Sequence, residues 1–352
     1  MNIFVILINI IPAVLLSIII QLAFHEIGHM LAGLITGWRL IYLQLYHLAL
    51  IKENSKYRIK LVPTLNCRCI MYPKDLYQGA TLYTLGGIST NLLLTVTGLA
   101  GMIGFLHRPI LRIYMWSFFA SGIMLLITNA TPNTKRVCND MACLKLIRND
   151  TLSMISHNAQ MMIAQQLFEG MTYRQIEPDL ICLTGEKVYT DILAYQVVLE
   201  YYFNLDQDKY IPARKALDKI KPEAPISQEV RNIINMELLY IELLEDILNK
   251  RNKVKTNPRY INGIEEYIRE YEGKGDIHSG RVKATWEAYR FYSRGDNKAA
   301  IDHLDQKIAE MDSAKYLYLG EKLFCMDQLT SIRNLLWRDL IMEKRTGTDS
   351  YN

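Results

Sequence analysis

Uninterrupted apolar runs dominate the first third of the chain. Ile3 to Phe24 carry no charge, and neither do Met30 to Gly37. A helix needs roughly 20 mostly apolar residues to cross the hydrocarbon core of a bilayer. Three segments meet this requirement and are predicted to span a membrane: Asn2–Thr36, Ala80–Leu106 and Ile110–Ala130. Because so few residues separate the last two segments, they are predicted to form a tight helical hairpin.

The segment between the first two spans shows a different periodicity. Apolar and polar residues partly alternate over Arg39–Leu45 and alternate more clearly over Tyr57–Val62, with Asn54 and Ser55 between the two runs. Alternation with a period of two is typical of half-buried strands. The pattern predicts a small β-hairpin at the membrane surface, although a plain connector is the alternative. As a hairpin, it would offer an edge strand that captures an unwound substrate by backbone pairing.

After Lys135 the chain becomes charged and follows helical periodicity. Phe291–Ala300 resembles the turn inside a tetratricopeptide-type helical hairpin, but no strict 34-residue period runs through this region. The prediction is therefore a stack of α-hairpins, which serves as a cap on the membrane core or as a docking platform for a cytoplasmic protein or peptide. The predicted helices are Asp191–Leu205, Ile211–Ile220, Glu229–Asn249, Tyr260–Tyr271, Val282–Ser293, Lys298–Met311 and Leu317–Arg338.

These patterns define the predicted fold class. The chain is an all-α polytopic membrane protein with a small β-hairpin at the membrane surface. Residues 1–150 form a membrane-embedded core of three helices, and residues 151–352 form a soluble α-helical domain.

Charge indicates the orientation and argues against one class of partner. The 40 Lys and Arg residues nearly balance the 36 Asp and Glu residues, and no long basic run suggests nucleic-acid binding. Basic residues outnumber acidic ones in the hairpin segment, and four more follow the third span. The excess of Lys and Arg on cytoplasmic loops predicts that both flanks and the C-terminal domain face the cytoplasm. The expected location is a cell membrane, and the simple three-span core suggests a bacterial one.

Candidate chemistry lies inside the first apolar segment, in the sequence His25-Glu26-Ile27-Gly28-His29. Positions i and i+4 of a helix share a face, so both imidazoles can reach one zinc ion (Zn²⁺). Glu26 then serves as the general base for the attacking water. Ionisable groups at membrane depth are costly, which indicates that this set has a function.

The remaining candidate ligands carry weaker signals. Six cysteines are scattered without a C-x-x-C pair, and among them Cys138 is a weak alternative metal donor. The other histidines have no ligand spacing and are expected at the surface: His47, His107, His157, His278 and His303.

Two further motifs follow in order. Gly86-Gly87-Ile88-Ser89-Thr90-Asn91 looks like a G-x-x-x-N element, and Asn129-Ala130-Thr131-Pro132 followed by Asn139-Asp140 looks like an N-x-x-P…D-G element. Over about residues 1–150, the three motifs together resemble the site-2 protease family of intramembrane zinc metalloproteases. The resemblance implies Asp140 as the third zinc ligand. It also implies that Asn91 and Asn129 position the substrate strand or the oxyanion, for which interhelical hydrogen bonding is the alternative.

The third motif departs from the family pattern, because the gap from Pro132 to Asp140 is longer and Met141 replaces a glycine. Asp150 and, more weakly, Asn139 are therefore alternative ligands, and Asp140 could instead be a helix N-cap. Gly86 and Gly87 are expected to let the second span pack closely on the first.

The expected function is hydrolysis of a peptide bond in or near a transmembrane segment. The substrate would be a membrane-tethered regulator, a signal-peptide remnant or a peptide precursor. The main alternative is a non-proteolytic membrane receptor or immunity protein with a structural zinc site. A metal transporter is a weaker one, because three spans offer no alternating pathway. Glu26 favours the enzyme, since a structural site has no use for it.

Overall fold

The computed structural model describes residues 3–53, 56–132, 139–183, 185, 188–251 and 277–348. This part of the chain is mostly helical, with one small β-sheet. It divides into two compact units, one of Met1–Gln165 with Thr190–Leu193 and one of Gln166–Tyr189 with Ala194–Asn352. The sequence placed this boundary at residue 150, whereas the first unit extends about fifteen residues further.

Three helices of the first unit are long and apolar enough to cross a membrane. They are α1 (Ile3–Ile35), α2 (Thr81–Gly104) and α3 (Pro109–Ala130), which confirms the three predicted apolar helices. At 1.5 Å per residue, the 33 residues of α1 extend for about 50 Å. Two residues after the end of α1, Gly37 has a positive φ of 86°, which allows the backbone N–H of Trp38 to donate to the carbonyl of Gly33.

Glycines bring the three helices close together. A Cβ placed on Gly28 would lie 2.4 Å from the carbonyl oxygen of Gly86, and a Cβ on Gly86 would lie as close to that of Gly28. On α3, a Cβ on Gly122 would come within 2.3 Å of the Thr95 hydroxyl and 2.7 Å of the Gln21 amide nitrogen. Without side chains at these positions, the backbones can approach as small residues allow in bilayers. The predicted packing role of Gly86 is confirmed.

A two-stranded antiparallel sheet connects α1 and α2. Strand β1 (Arg39–Glu53) pairs with β2 (Lys56–Tyr72), from Arg39 opposite Tyr72 to Glu53 opposite Lys56. The hairpin is confirmed, and its strands are longer than predicted because the pairing continues past two irregularities. Tyr46, with a φ of 59°, marks the second irregularity. The predicted turn residues Asn54 and Ser55 lie outside the described residues.

Two helices that the sequence analysis did not predict complete the first unit, α4 (Asp140–Asn149) and α5 (Thr151–Phe168). Leu144 and Ile147 of α4 pack into a core with Trp38, Met71 and Tyr83. On α5, the side-chain amide of Asn158 donates to the carbonyls of Leu76 and Gln78, at 2.8 Å each. These contacts fix the segment from which α2 begins.

His157 of α5 was predicted at the surface, but its Nε2 is buried without a hydrogen-bond partner among the described residues. Its ring packs beside Trp38, with the centroids 6.3 Å apart. Burial lowers the pKa of His157 to about 4, because it penalises the charged imidazolium. The folded protein therefore keeps this ring neutral at pH values where the unfolded chain is already protonated.

We expect the stability of the first unit to fall as the pH decreases from 6.5 to about 4. The folded pKa lies below the unfolded value, so His157 costs nothing above pH 6.5 and up to about 3 kcal/mol near pH 4. Thermal unfolding of the detergent-solubilised chain at pH 7.5, 6 and 5 measures this loss. His157→Phe should show a shallower pH dependence than wild type, and equal slopes for the two proteins would contradict the prediction.

The second unit is helical throughout its described part. After a 3₁₀ turn at Tyr173–Gln175, the helices are α6 (Pro178–Ile181), α7 (Asp191–Leu205), α8 (Tyr210–Leu217), α9 (Gln228–Arg251), α10 (Ile277–Ser293), α11 (Asn297–Ser313) and α12 (Leu319–Thr348). Six of the seven predicted segments correspond to helices, and their ends differ by a few residues or, at the chain's end, by ten. The predicted helix Tyr260–Tyr271 lies outside the described residues.

The core of this unit contains polar side chains. His278, predicted at the surface, is buried and stacks on Tyr202 with the centroids 4.4 Å apart. Arg281 and Glu237 are both fully buried, and one guanidinium nitrogen of Arg281 donates to both carboxylate oxygens of Glu237 at 2.6–2.7 Å. The guanidinium also lies 3.8 Å from the centre of the Tyr240 ring. These residues form a buried ion pair at the centre of the helical unit.

Glu237→Gln should destabilise the second unit by about 3–5 kcal/mol, because it leaves the Arg281 charge buried and uncompensated. A matched control is Asp305→Asn, which breaks the partly exposed pair between Asp305 and Arg333 and should cost about 0–1 kcal/mol. Thermal and denaturant unfolding of the full chain would compare the two variants. Equal, small losses would show that the buried pair does not stabilise the fold.

Candidate metal centre

Two imidazoles of α1 face the interior of the three-helix group. His25 and His29 lie one helical turn apart on the same face, and both are buried. Their Nε2 atoms are 3.2 Å apart, and the rings meet edge to face. The i, i+4 spacing thus brings two nitrogen donors together, as the sequence predicted.

Asp140, the first residue of α4, adds a carboxylate. Its Oδ2 lies 3.1 Å from Nε2 of His25 and 3.3 Å from Nε2 of His29, so the three atoms form a nearly equilateral triangle. Tetrahedral ligands placed 2.0–2.1 Å from a zinc ion are about 3.3 Å from one another. The three side chains could therefore hold one metal ion. Two imidazole nitrogens and a carboxylate suit zinc and other transition metals better than magnesium or calcium.

Asn139 determines where Asp140 lies. Its side-chain oxygen accepts from the backbone N–H of Ala142, so Asn139 is the N-cap of α4 and Asp140 is not. Its amide nitrogen donates to the carbonyls of Thr128 and Thr131, at 2.7 Å each. These bonds tie the end of α3 to the start of α4. The structure therefore contradicts two alternatives, that Asn139 is a metal ligand and that Asp140 is an N-cap.

The other alternative ligands are not at the centre. Asp150 caps α5 by accepting from the backbone N–H groups of Leu152 and Ser153. Cys138 lies outside the described residues. Among the residues that the structure describes, His25, His29 and Asp140 are the one group of three or more such side chains close enough to share an ion.

The charge state of Asp140 suits a metal ligand. Burial raises the pKa of its carboxyl group, but the adjacent imidazoles of His25 and His29 outweigh burial and hold the pKa well below its ordinary value. Asp140 is therefore a carboxylate at neutral pH. Its Oδ2, which forms the third corner of the triangle, is buried.

Both imidazoles are also held at their outer nitrogens. Nδ1 of His29 lies 2.8 Å from the carbonyl oxygen of Tyr83 and donates to it, which leaves the lone pair on Nε2. Nδ1 of His25 lies 3.0 Å from the amide nitrogen of Asn91, which is fully buried. Asn91 thus contacts a predicted ligand. Asn129 lies half-buried in the last turn of α3.

Glu26 lies beside the triangle and beneath the hairpin. Its carboxylate interacts electrostatically with both imidazoles and with Asp140, and it faces the backbone N–H of Cys69 on β2. Burial, and then the nearby Glu26, raise the pKa of the Cys69 thiol. At neutral pH Cys69 is therefore a neutral thiol.

Gly87 leaves space at the centre of the site. A Cβ at this position would lie 2.5 Å from Nε2 of both His25 and His29, and 2.4 Å from Cε1 of His25. A methyl group would thus occupy the region where the imidazole lone pairs converge. The sequence predicts only a packing role for Gly87, as for Gly86. The two roles differ because Gly86 lies against the backbone of Gly28, whereas Gly87 lies against the rings of His25 and His29.

Comparisons of the chain with protein-family models, with curated proteins and with solved structures find no match.

Proposed function

We propose that this protein is an intramembrane zinc metalloprotease that hydrolyses a peptide bond in or near a transmembrane segment. The observation that carries the proposal is the triangle of His25, His29 and Asp140 with Glu26 beside it, inside a group of helices long enough to span a bilayer. The substrate class is a membrane-tethered regulator, a signal-peptide remnant or a peptide precursor.

Zinc bound by His25, His29 and Asp140 would supply Lewis-acid activation of the attacking water and polarisation of the peptide carbonyl. Glu26 would accept the proton of that water and return it to the leaving amine, as a general acid–base group does. The Cys69 N–H orients the Glu26 carboxylate, and the Tyr83 carbonyl orients the His29 ring. The asparagines at 91 and 129 remain the residues that the family resemblance implies for positioning the substrate or the oxyanion.

The hairpin suggests how a helical substrate would become accessible. Cys69 pairs with Leu43 of β1 and directs its N–H to Glu26. The side of β2 that faces away from β1 therefore runs beside the catalytic group. An unwound substrate that added to this edge would bring its peptide bonds beside Glu26 and the three ligands, with main-chain hydrogen bonds replacing those of its helix.

A cleavage assay tests the proposal. Purified full-length protein is reconstituted in liposomes with a panel of single-span peptides, and products are mapped by mass spectrometry. We expect one cleavage position in or near the spanning segment, which disappears with a chelator and in Asp140→Ala. Zinc-loaded wild type that cleaves none of the peptides, alone or with membrane extract from the source cells, would favour the alternative of a receptor or immunity protein.

The second unit is proposed to be a cytoplasmic helical domain of tetratricopeptide-like type. Helices α10 and α11 are joined by a short turn, in which Gly295 has a φ of 82° and Asp296 caps α11 through the backbone N–H of Ala299. This turn supports the helical hairpin predicted there. Such a unit would serve as a cap or as a docking platform for a cytoplasmic protein or peptide. The basic residues after α3 favour its cytoplasmic location, in a bacterial cell membrane.

A further inference from the structure

The contact between Asn91 and His25 bears on which ring nitrogen of His25 carries the proton. An imidazole that offers Nε2 to a metal carries its proton on Nδ1 and needs an acceptor there. For His29 that acceptor is the carbonyl of Tyr83, 2.8 Å away. For His25 the neighbour is Asn91, whose amide nitrogen lies 3.0 Å from Nδ1 while its Oδ1 is buried without a hydrogen-bond partner in the described part of the chain.

An amide can serve either tautomer of the facing imidazole. With its nitrogen toward Nδ1, Asn91 donates and the proton of His25 lies on Nε2, which then points at Asp140 and His29. Rotation of the amide by 180° exchanges oxygen and nitrogen with little change in shape. Its oxygen then accepts from Nδ1–H, and Nε2 of His25 presents a lone pair.

We propose that Asn91 is a positioning residue that sets the tautomer of His25, and that its side-chain oxygen accepts the Nδ1 proton when a metal ion is bound. The inference rests on the proposed metal centre and adds a role that the motif did not imply. Asn91 is fully buried in α2, one turn beyond the Gly87 position that faces both imidazoles. The two outer acceptors, Asn91 and the Tyr83 carbonyl, therefore both come from α2 and hold the two ligands of α1.

Hydrogen bonds to the outer nitrogen of a histidine ligand typically contribute 10–100-fold to metal affinity. Asn91→Leu removes the acceptor while keeping a similar volume, so zinc affinity should fall by about that factor. Asn91→Asp keeps an acceptor and has no donor, so its affinity should stay within about threefold of wild type. Thr95→Val is the matched control, because the Thr95 hydroxyl is buried one turn further along α2 and donates to the Asn91 carbonyl of its own helix.

Zinc affinity would be measured by chelator competition on the detergent-solubilised full chain. The visible spectrum of the cobalt-substituted protein would report the ligand geometry. The expected result is loss in Asn91→Leu, retention in Asn91→Asp and no change in Thr95→Val. Wild-type affinity in Asn91→Leu, or equal losses in the leucine and aspartate variants, would overturn the role of Asn91 alone. A wild-type chain that binds no metal would instead overturn the proposed function itself. No step of this test requires a peptide substrate.

Discussion

Glu26→Gln is expected to retain the bound metal and to lower the rate of peptide hydrolysis by about 10²–10⁴-fold. Glutamine keeps the size of the side chain and can still meet the Cys69 backbone, but it cannot take a proton from water. Its neutral amide also leaves the triangle of His25, His29 and Asp140 in place. The measurement is product formation from a cleavable single-span peptide in liposomes, together with metal content determined on the same preparation.

A control on the same helix separates this effect from general damage to α1. Ser17→Ala removes a buried hydroxyl that donates to the Ala13 carbonyl of its own helix, and it should leave both metal content and activity unchanged. Glu26→Gln with the wild-type rate would show that another group is the base. Loss of metal in Glu26→Gln would show that Glu26 supports the site structurally and would weaken the assignment as an enzyme.

Gly87→Ala is expected to abolish metal binding, with an affinity loss of more than about 100-fold. The added methyl carbon would lie 2.5 Å from both Nε2 atoms, far inside van der Waals contact, so both rings would have to turn away. Gly104→Ala, at the end of the same helix, adds the same methyl group into open space, with no described residue beyond its own helical turn within 4 Å. Metal content of the two purified variants is the measurement.

The outcome of this pair distinguishes the metal centre from ordinary packing. If Gly87→Ala bound metal as tightly as Gly104→Ala, the imidazoles would not converge in front of Gly87 in solution. Helices α1 and α2 would then pack in another arrangement. Retained helical content in both variants, followed by circular dichroism, would show that the loss is local.

Much of the first unit could be predicted from local sequence patterns. The three spans follow from apolar length, the hairpin follows from alternation, and His25 with His29 follows from the i, i+4 spacing. Asp140 lies more than a hundred residues after His29, and no local pattern connects them. The prediction of Asp140 as a ligand came from the family resemblance. The structure places its Oδ2 within 3.3 Å of Nε2 of both imidazoles.

Other features depend on tertiary contacts that no local pattern encodes. Helix α4 was not predicted, because its ten residues carry a short apolar face that becomes informative only against Trp38 and Tyr83. The capping role of Asn139 and the different roles of Gly86 and Gly87 depend on which helices meet. His278 was expected at the surface, since its sequence neighbours do not reveal the stacking on Tyr202.

The central claim is that His25, His29 and Asp140 bind one catalytic metal ion. Its most direct test is the metal content of the full chain purified from membranes in metal-free detergent buffer, by elemental mass spectrometry, beside Asp140→Ala prepared identically. We predict about one zinc per wild-type chain and less than about a tenth of that in the variant. Wild-type protein without a stoichiometric metal ion, even after zinc is added back, would contradict the account.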